Sequence, residues 1–178
     1  RTPDELREQC SMALKLAEAV TPDRQRLYLF DAAADQRLQF WLMTLPEILA
    51  EKGLFEEAVR LCAAWAELMQ AEHFLSERAA ALAQAGRAQG AREQLSCNLE
   101  RFPKDSETLS RAGDVYRLLK DYADAESCYR RFLDVIDDQR DYERGVARLV
   151  SLLKEAGKTD DARVLEGEQI KRRVAAPG

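Results

Sequence analysis

A single histidine, His73, stands in the 178 residues, so any histidine-dependent acid–base chemistry must run through that one side chain. Its neighbours Glu72 and Glu77 fall on the same predicted helix, and no nucleophile is placed beside it. That pattern reads as a surface or interface residue rather than a catalytic one. Cysteine is equally sparse. Cys10, Cys62, Cys97 and Cys128 are spaced 52, 35 and 31 residues apart, which is neither metal-ligand nor redox-motif spacing. No metal and no cofactor is expected. Each cysteine falls among apolar residues of a predicted helix, so all four read as buried small hydrophobes in a reducing, cytoplasmic compartment. A positive excess is missing too: 27 cationic residues face 32 anionic ones, and neither half of the chain is basic. A phosphate-backbone binder would lack its main source of affinity, so no nucleic acid is expected. No apolar run approaches the ~18 residues of a membrane span. The chain begins at Arg1 rather than Met, the mark of a fragment or a processed product.

What is present is a period. Hydrophobic residues make up 46% and charged residues 33%, enough to bury a core. Gly53 is followed five residues later by Ala58, Gly86 by Ala91, and Gly157 by Ala162. Between them Lys120 takes the glycine place and Ala125 follows. The four alanines are 33, 34 and 37 residues apart. A repeat near 34 residues implies helix–turn–helix units that bury their apolar stripes only by stacking. Leu109, Ala112-Gly113 and Tyr116 form such a stripe, at i, i+3, i+4 and i+7. Gly86 and Gly157 stand where a left-handed residue would end the first helix.

The pattern resembles the tetratricopeptide repeat. From Ser106 the chain supplies Leu109, Ala112-Gly113, Tyr116, Tyr122, Ala125 and Tyr129 at the family's places. From Glu72 it supplies Leu75, Ala79, Leu82, Gly86, Ala91, Leu95 and Pro103. From Gln39 come Leu42, Leu45, Leu49, Gly53, Phe55, Ala58 and Trp65. From Glu143 come Val146, Leu149, Val150, Leu153, Gly157 and Ala162. The resemblance covers residues 39–173 and implies an all-α, right-handed superhelix of antiparallel helix pairs. The expected units are 39–71, 72–105, 106–139 and 140–173, the last including a capping helix. Residues 1–38 are read as an N-terminal helix pair, a degenerate repeat or cap, and 174–178 as a tail. Thr2-Pro3-Asp4-Glu5 and Thr21-Pro22-Asp23 are helix-start signals. Pro46 is expected to kink its helix or mark a new start after Thr44.

Two tempting motifs dissolve on inspection. Gly157-Lys158-Thr159 lacks the upstream glycine of a phosphate loop, since Leu152 stands there, and it follows a helix. Lys171-Arg172-Arg173 sits at the end of the last helix, where cations are favoured.

The resemblance implies that first helices line a concave groove that takes a peptide. The matching groove places hold His73, Ser76, Arg111, Asp114, Arg117, Arg144, Arg148 and Ser151. Arginine forks recognise carboxylates, so an acidic segment is a natural guest for the C-terminal half. These arginines can instead pair with Asp114, Glu107 or Glu143 and simply solvate a face. The lysine and asparagines with which some tetratricopeptide repeats clamp a terminal carboxylate of chaperones are missing, for Met43, Ser76, Ser110 and Ala147 hold the lysine place. The leading expectation is a non-catalytic scaffold binding a peptide or helix of a protein partner, away from membranes. The alternatives are a regulatory or assembly segment of a larger enzyme or transcription regulator, and a homo-oligomerisation module using Leu27, Tyr28, Leu29 and Phe30.

Overall fold

The computed structural model describes residues 1–21 and 36–175, with side chains described to residue 169. The Thr21-Pro22-Asp23 start signal, the Leu27–Phe30 run and most of the tail lie outside the described residues or at their edge. Among the described residues the chain is helical, with no strand. It divides into two compact units, Arg1–Asn98 and Leu99–Gly178.

The first unit opens with α1 (Pro3–Val20). Thr2 caps it by a reciprocal box: the Glu5 amide donates to Thr2 Oγ1 at 3.3 Å and the Thr2 amide donates to Glu5 Oε2 at 2.8 Å. Leu6, Cys10, Ala13, Ala17 and Val20 are its buried stripe. Helix α2 (Gln36–Glu51) and α3 (Phe55–Ala66) form an antiparallel pair against which α1 packs. Arg7 of α1 reaches Glu57 of α3 at 3.3 Å. Helix α4 (Ala71–Gln84) packs on both α2 and α3, and Phe74 meets Trp65 with ring centroids 6.4 Å apart. Helix α5 (Ala88–Arg101) follows, tied to α4 by a polar seam. Arg78 donates to Gln94 at 2.8 Å, and Gln94 donates to the buried Asn98 at 2.7 Å.

Of the two outcomes expected at Pro46, a kink or a new start after Thr44, the new start does not occur, and α2 runs through Pro46. Proline removes one donor, the one that would reach the carbonyl four residues back, and the other bonds of the helix carry it past the gap. Cys97 is a correction. It is exposed, whereas Cys10, Cys62 and Cys128 are buried. Helix α5 buries Ala91, Leu95 and Asn98, and Cys97 lies about 200° round the helix from Leu95.

The second unit holds α6 (Ser106–Leu118), α7 (Tyr122–Val135), α8 (Gln139–Glu155) and α9 (Thr159–Ala175). Asp105 caps α6 by accepting from the Thr108 amide at 2.7 Å, and Asp138 caps α8. Its core gathers Ala125, Tyr129, Val146, Leu149, Val150, Leu152, Leu153 and Ala162. Gly113 lets α6 touch α7: a Cβ there would stand 2.5 Å from the Tyr129 ring. Gly145 does the same for α8, where a Cβ would stand 2.6 Å from Phe132.

Four turns are copies of one hydrogen-bonded design. Gly53, Gly86, Lys120 and Gly157 have φ of 74, 75, 63 and 78°. In each, the next residue's amide reaches back five residues: Leu54 to Leu49, Arg87 to Leu82, Asp121 to Tyr116, Lys158 to Leu153. That same residue's carbonyl then accepts from Ala58, Ala91, Ala125 or Ala162, all of them fully buried. Two of the turns also share an external tie. Arg87 binds Glu56 at 3.2 Å and Lys158 binds Glu126 at 2.7 Å, each joining a turn to the second helix of the preceding pair.

Lys120 adopts a left-handed conformation that costs a side chain roughly 1–2 kcal/mol. Lys120→Gly should raise stability by about 1 kcal/mol, and Gly86→Ala, whose Cβ would meet open space, should lower it by about as much. Urea unfolding of the two variants checks both signs. In the native protein one thiol, Cys97, should react with an aromatic disulfide reagent. The Cys128 thiol, pushed up to about 11 by burial, and those of Cys10 and Cys62 should wait for unfolding.

Candidate functional site

The eight residues at the expected groove places have different fates. His73 is half-buried and its Nε2–H donates to the Met43 carbonyl at 2.9 Å, with its ring edge-on to Phe74 at 5.4 Å. It ties α4 to α2. Ser76 is only 3% exposed, and Ala80 and Ala83 of the same row are also buried. This part of the expected groove is corrected: α4 is an alanine-rich helix buried over most of its girth, so Ser76 offers no hydroxyl to a guest. Arg111 is half-buried on α6.

The other five lie in the second unit, where four of them join neighbouring helices. Arg148 of α8 donates to Ser110 Oγ of α6 and pairs with Asp114 at 3.1 Å. Asp114 in turn accepts from the Tyr129 hydroxyl at 2.6 Å, so a chain of contacts runs from α8 through α6 to α7. One turn further along, Arg117 donates to Ser151 Oγ at 3.1 Å and grips Glu155 with two nitrogens, Nε at 2.9 Å. Arg144 stands apart. It is 75% exposed and paired with Asp141 on its own helix at 3.1 Å.

These contacts obey the period. Arg117 and Ser151 are 34 residues apart, while Arg117–Glu155 and Ser110–Arg148 are 38 apart. One repeat moves a residue to the equivalent place on the next first helix, and four more residues move it one turn along that helix. Adding a period to each groove place would have found these partners. Ser110, Glu155 and Tyr129 are the members of the network that those eight residues do not include.

Electrostatics follow from the pairing. The Arg117 hydrogen bond is the main cause that holds the Glu155 carboxyl below the ordinary carboxylate range, and the same bond holds the Arg117 guanidinium up. Burial first, then the hydrogen bond to Asp114, pushes the Tyr129 phenol up, so it remains a donor across neutral pH. Among the described residues no group of three His, Cys, Asp or Glu side chains could hold a metal ion, and no helix is long and apolar enough to cross a membrane. What the arrangement offers chemically is a half-exposed row of oriented guanidinium, hydroxyl and carboxylate groups.

The stabilisation contributed by a carboxylate with a lowered folded pKa is complete above its ordinary value and is lost as pH falls through the lowered one. Arg117→Gln should therefore move the Glu155 titration midpoint upward into the ordinary glutamate range, read by carboxyl-carbon NMR.

No protein-family model and no curated protein sequence matches the chain. Solved structures do match it in fold. MamA AMB-1 is 12% identical with a TM-score of 0.52, covering 99% of this chain and 96% of that one. A tetratricopeptide repeat protein from Parabacteroides merdae ATCC 43184 is 20% identical with a TM-score of 0.55, covering 97% of this chain and 67% of that one. The chain has an all-α fold of tetratricopeptide-like helix pairs.

Proposed function

We propose that this chain is a non-catalytic protein-interaction scaffold that holds a peptide segment or helix of a partner protein against its first helices. Its units are read as 39–71, 72–105, 106–139 and 140–173, with residues 1–38 as a further, degenerate pair. The observation that carries the reading is the cross-linked polar row on α6 and α8. Arg117 and Arg148 retain 31% and 44% side-chain exposure while each is held by two partners on the facing helix. A surface that only needs solvation has no use for long side chains held in one geometry, because ordering them is unfavourable. A surface that receives a partner gains from it, since the immobilisation on binding is already made. The resemblance in fold to a tetratricopeptide repeat protein supports the same class of role.

Arg144 and Arg148 are two of the exposed cations of α8, beside Arg140 and Lys154. With the intact chain as bait, a protein retained by the wild type should be recovered about tenfold less by Arg144→Ala combined with Arg148→Ala, as loss of two charge-assisted contacts implies. The thermal midpoint should stay within a few degrees. Early melting of the double variant together with undiminished capture by its folded fraction would mean that the arginines serve the fold alone.

A further inference from the structure

Where α6 turns into α7, the second unit carries a shallow, open cleft of about 430 Å³ lined by Asp114, Arg117, Leu118, Lys120, Tyr122 and Glu155. Leu118 is 54% exposed, one of few large hydrophobic side chains so placed among the described residues. Lys120 points from the left-handed turn and meets no carboxylate among the described residues. Glu155 is the last residue of α8, where the helix dipole disfavours a negative charge. Its side chain is 42% exposed, so it can turn to water without burying charge. Arg117 would keep its aim in that event, because Ser151 holds Nη2 independently at 3.1 Å.

We propose that Glu155 is an internal stand-in for a guest carboxylate, and that the cleft takes a partner segment pairing an acidic side chain with an apolar neighbour. The guest's carboxylate displaces Glu155 from the Arg117 fork, and its apolar side chain covers Leu118 and the Tyr122 ring. Charge decides the sign of the guest. Asp114 is already committed to Tyr129 and Arg148, so release of Glu155 leaves Arg117 and Lys120 as the cleft's unanswered charges. The contact is therefore autoinhibitory, a built-in competitor that sets a threshold against weak acidic ligands. This inference rests on the interaction-scaffold reading above and names the chemistry of its partner.

The test is an array of short peptides carrying Glu-Leu or Glu-Phe pairs, each beside its Gln counterpart, probed with the full chain as wild type, Glu155→Gln, Glu155→Ala and Arg117→Gln. Affinities of retained peptides are then measured by fluorescence anisotropy. Both Glu155 variants should bind the acidic peptides about two- to fivefold more tightly, the worth of one exposed competing ion pair, with the Gln counterparts unchanged. Arg117→Gln should lose the preference for Glu over Gln. If the Glu155 variants bind acidic peptides no better than wild type while other peptides still bind, the stand-in role is overturned and the scaffold reading stands. If no peptide of any composition binds wild type or variants, the scaffold reading fails and takes this inference with it.

Discussion

Each of the four helix pairs from α2 to α9 reverses direction at a residue held in the left-handed region, and five residues later a fully buried alanine presses the second helix against the first. The two features are mechanically one, because the residue that closes the turn also accepts the alanine's amide bond. A larger side chain at the alanine would push the helices apart, and a different turn would rotate the second helix off its stripe. No pair buries its stripe alone. In the second unit, Val146, Leu149 and Leu153 of α8 are covered only because Tyr129 and Ala125 of α7 and Ala162 of α9 close on them from two sides. The close approaches at Gly113 and Gly145, where even a methyl group would strike an aromatic ring, show how little slack that packing has.

The same constraint builds the polar face. Because the first helices α6 and α8 of the second unit are set side by side at the repeat period, a residue meets the one a repeat further on, and Arg117 and Arg148 find partners 34 and 38 positions away. The face thereby satisfies itself. Of the two readings of the groove arginines in the sequence, a carboxylate-gripping row and a set of internal ion pairs, the contacts within the chain are of the second kind. Arg148 answers Asp114 and Arg117 answers Glu155, yet all four stay partly open to solvent. On the proposal made above, such a face would distinguish guests by whether they outcompete its own carboxylates, which is a matter of differences in affinity rather than of raw charge.

Much of this was legible in the residues, and the misses have physical causes. Four of the five described left-handed positions were visible, three as glycines and Lys120 by alignment, whereas Gln70 before α4 gave no signal. The Thr2–Glu5 box and the stripe from Leu6 to Val20 followed from local rules that need no neighbours. Cys97 was misplaced because an apolar neighbourhood in sequence says nothing of the angle round a helix. Ser76 was misplaced because α4 is covered on more sides than a two-helix unit would cover it. Gly145 gave no signal, since its role depends on where Phe132 lies across the helix pair.

Period, turn positions, helix starts and core stripes are properties of short stretches of chain, set by backbone sterics and by 3.6-residue periodicity, and the sequence alone determined them. Which charges meet was decided only by the tertiary structure. An ion pair between Arg117 and Glu155 depends on two helices, a loop and a second pair all being in register to within the length of one side chain. Local rules act over a turn of helix, whereas that register is the sum of every packing contact between the two residues.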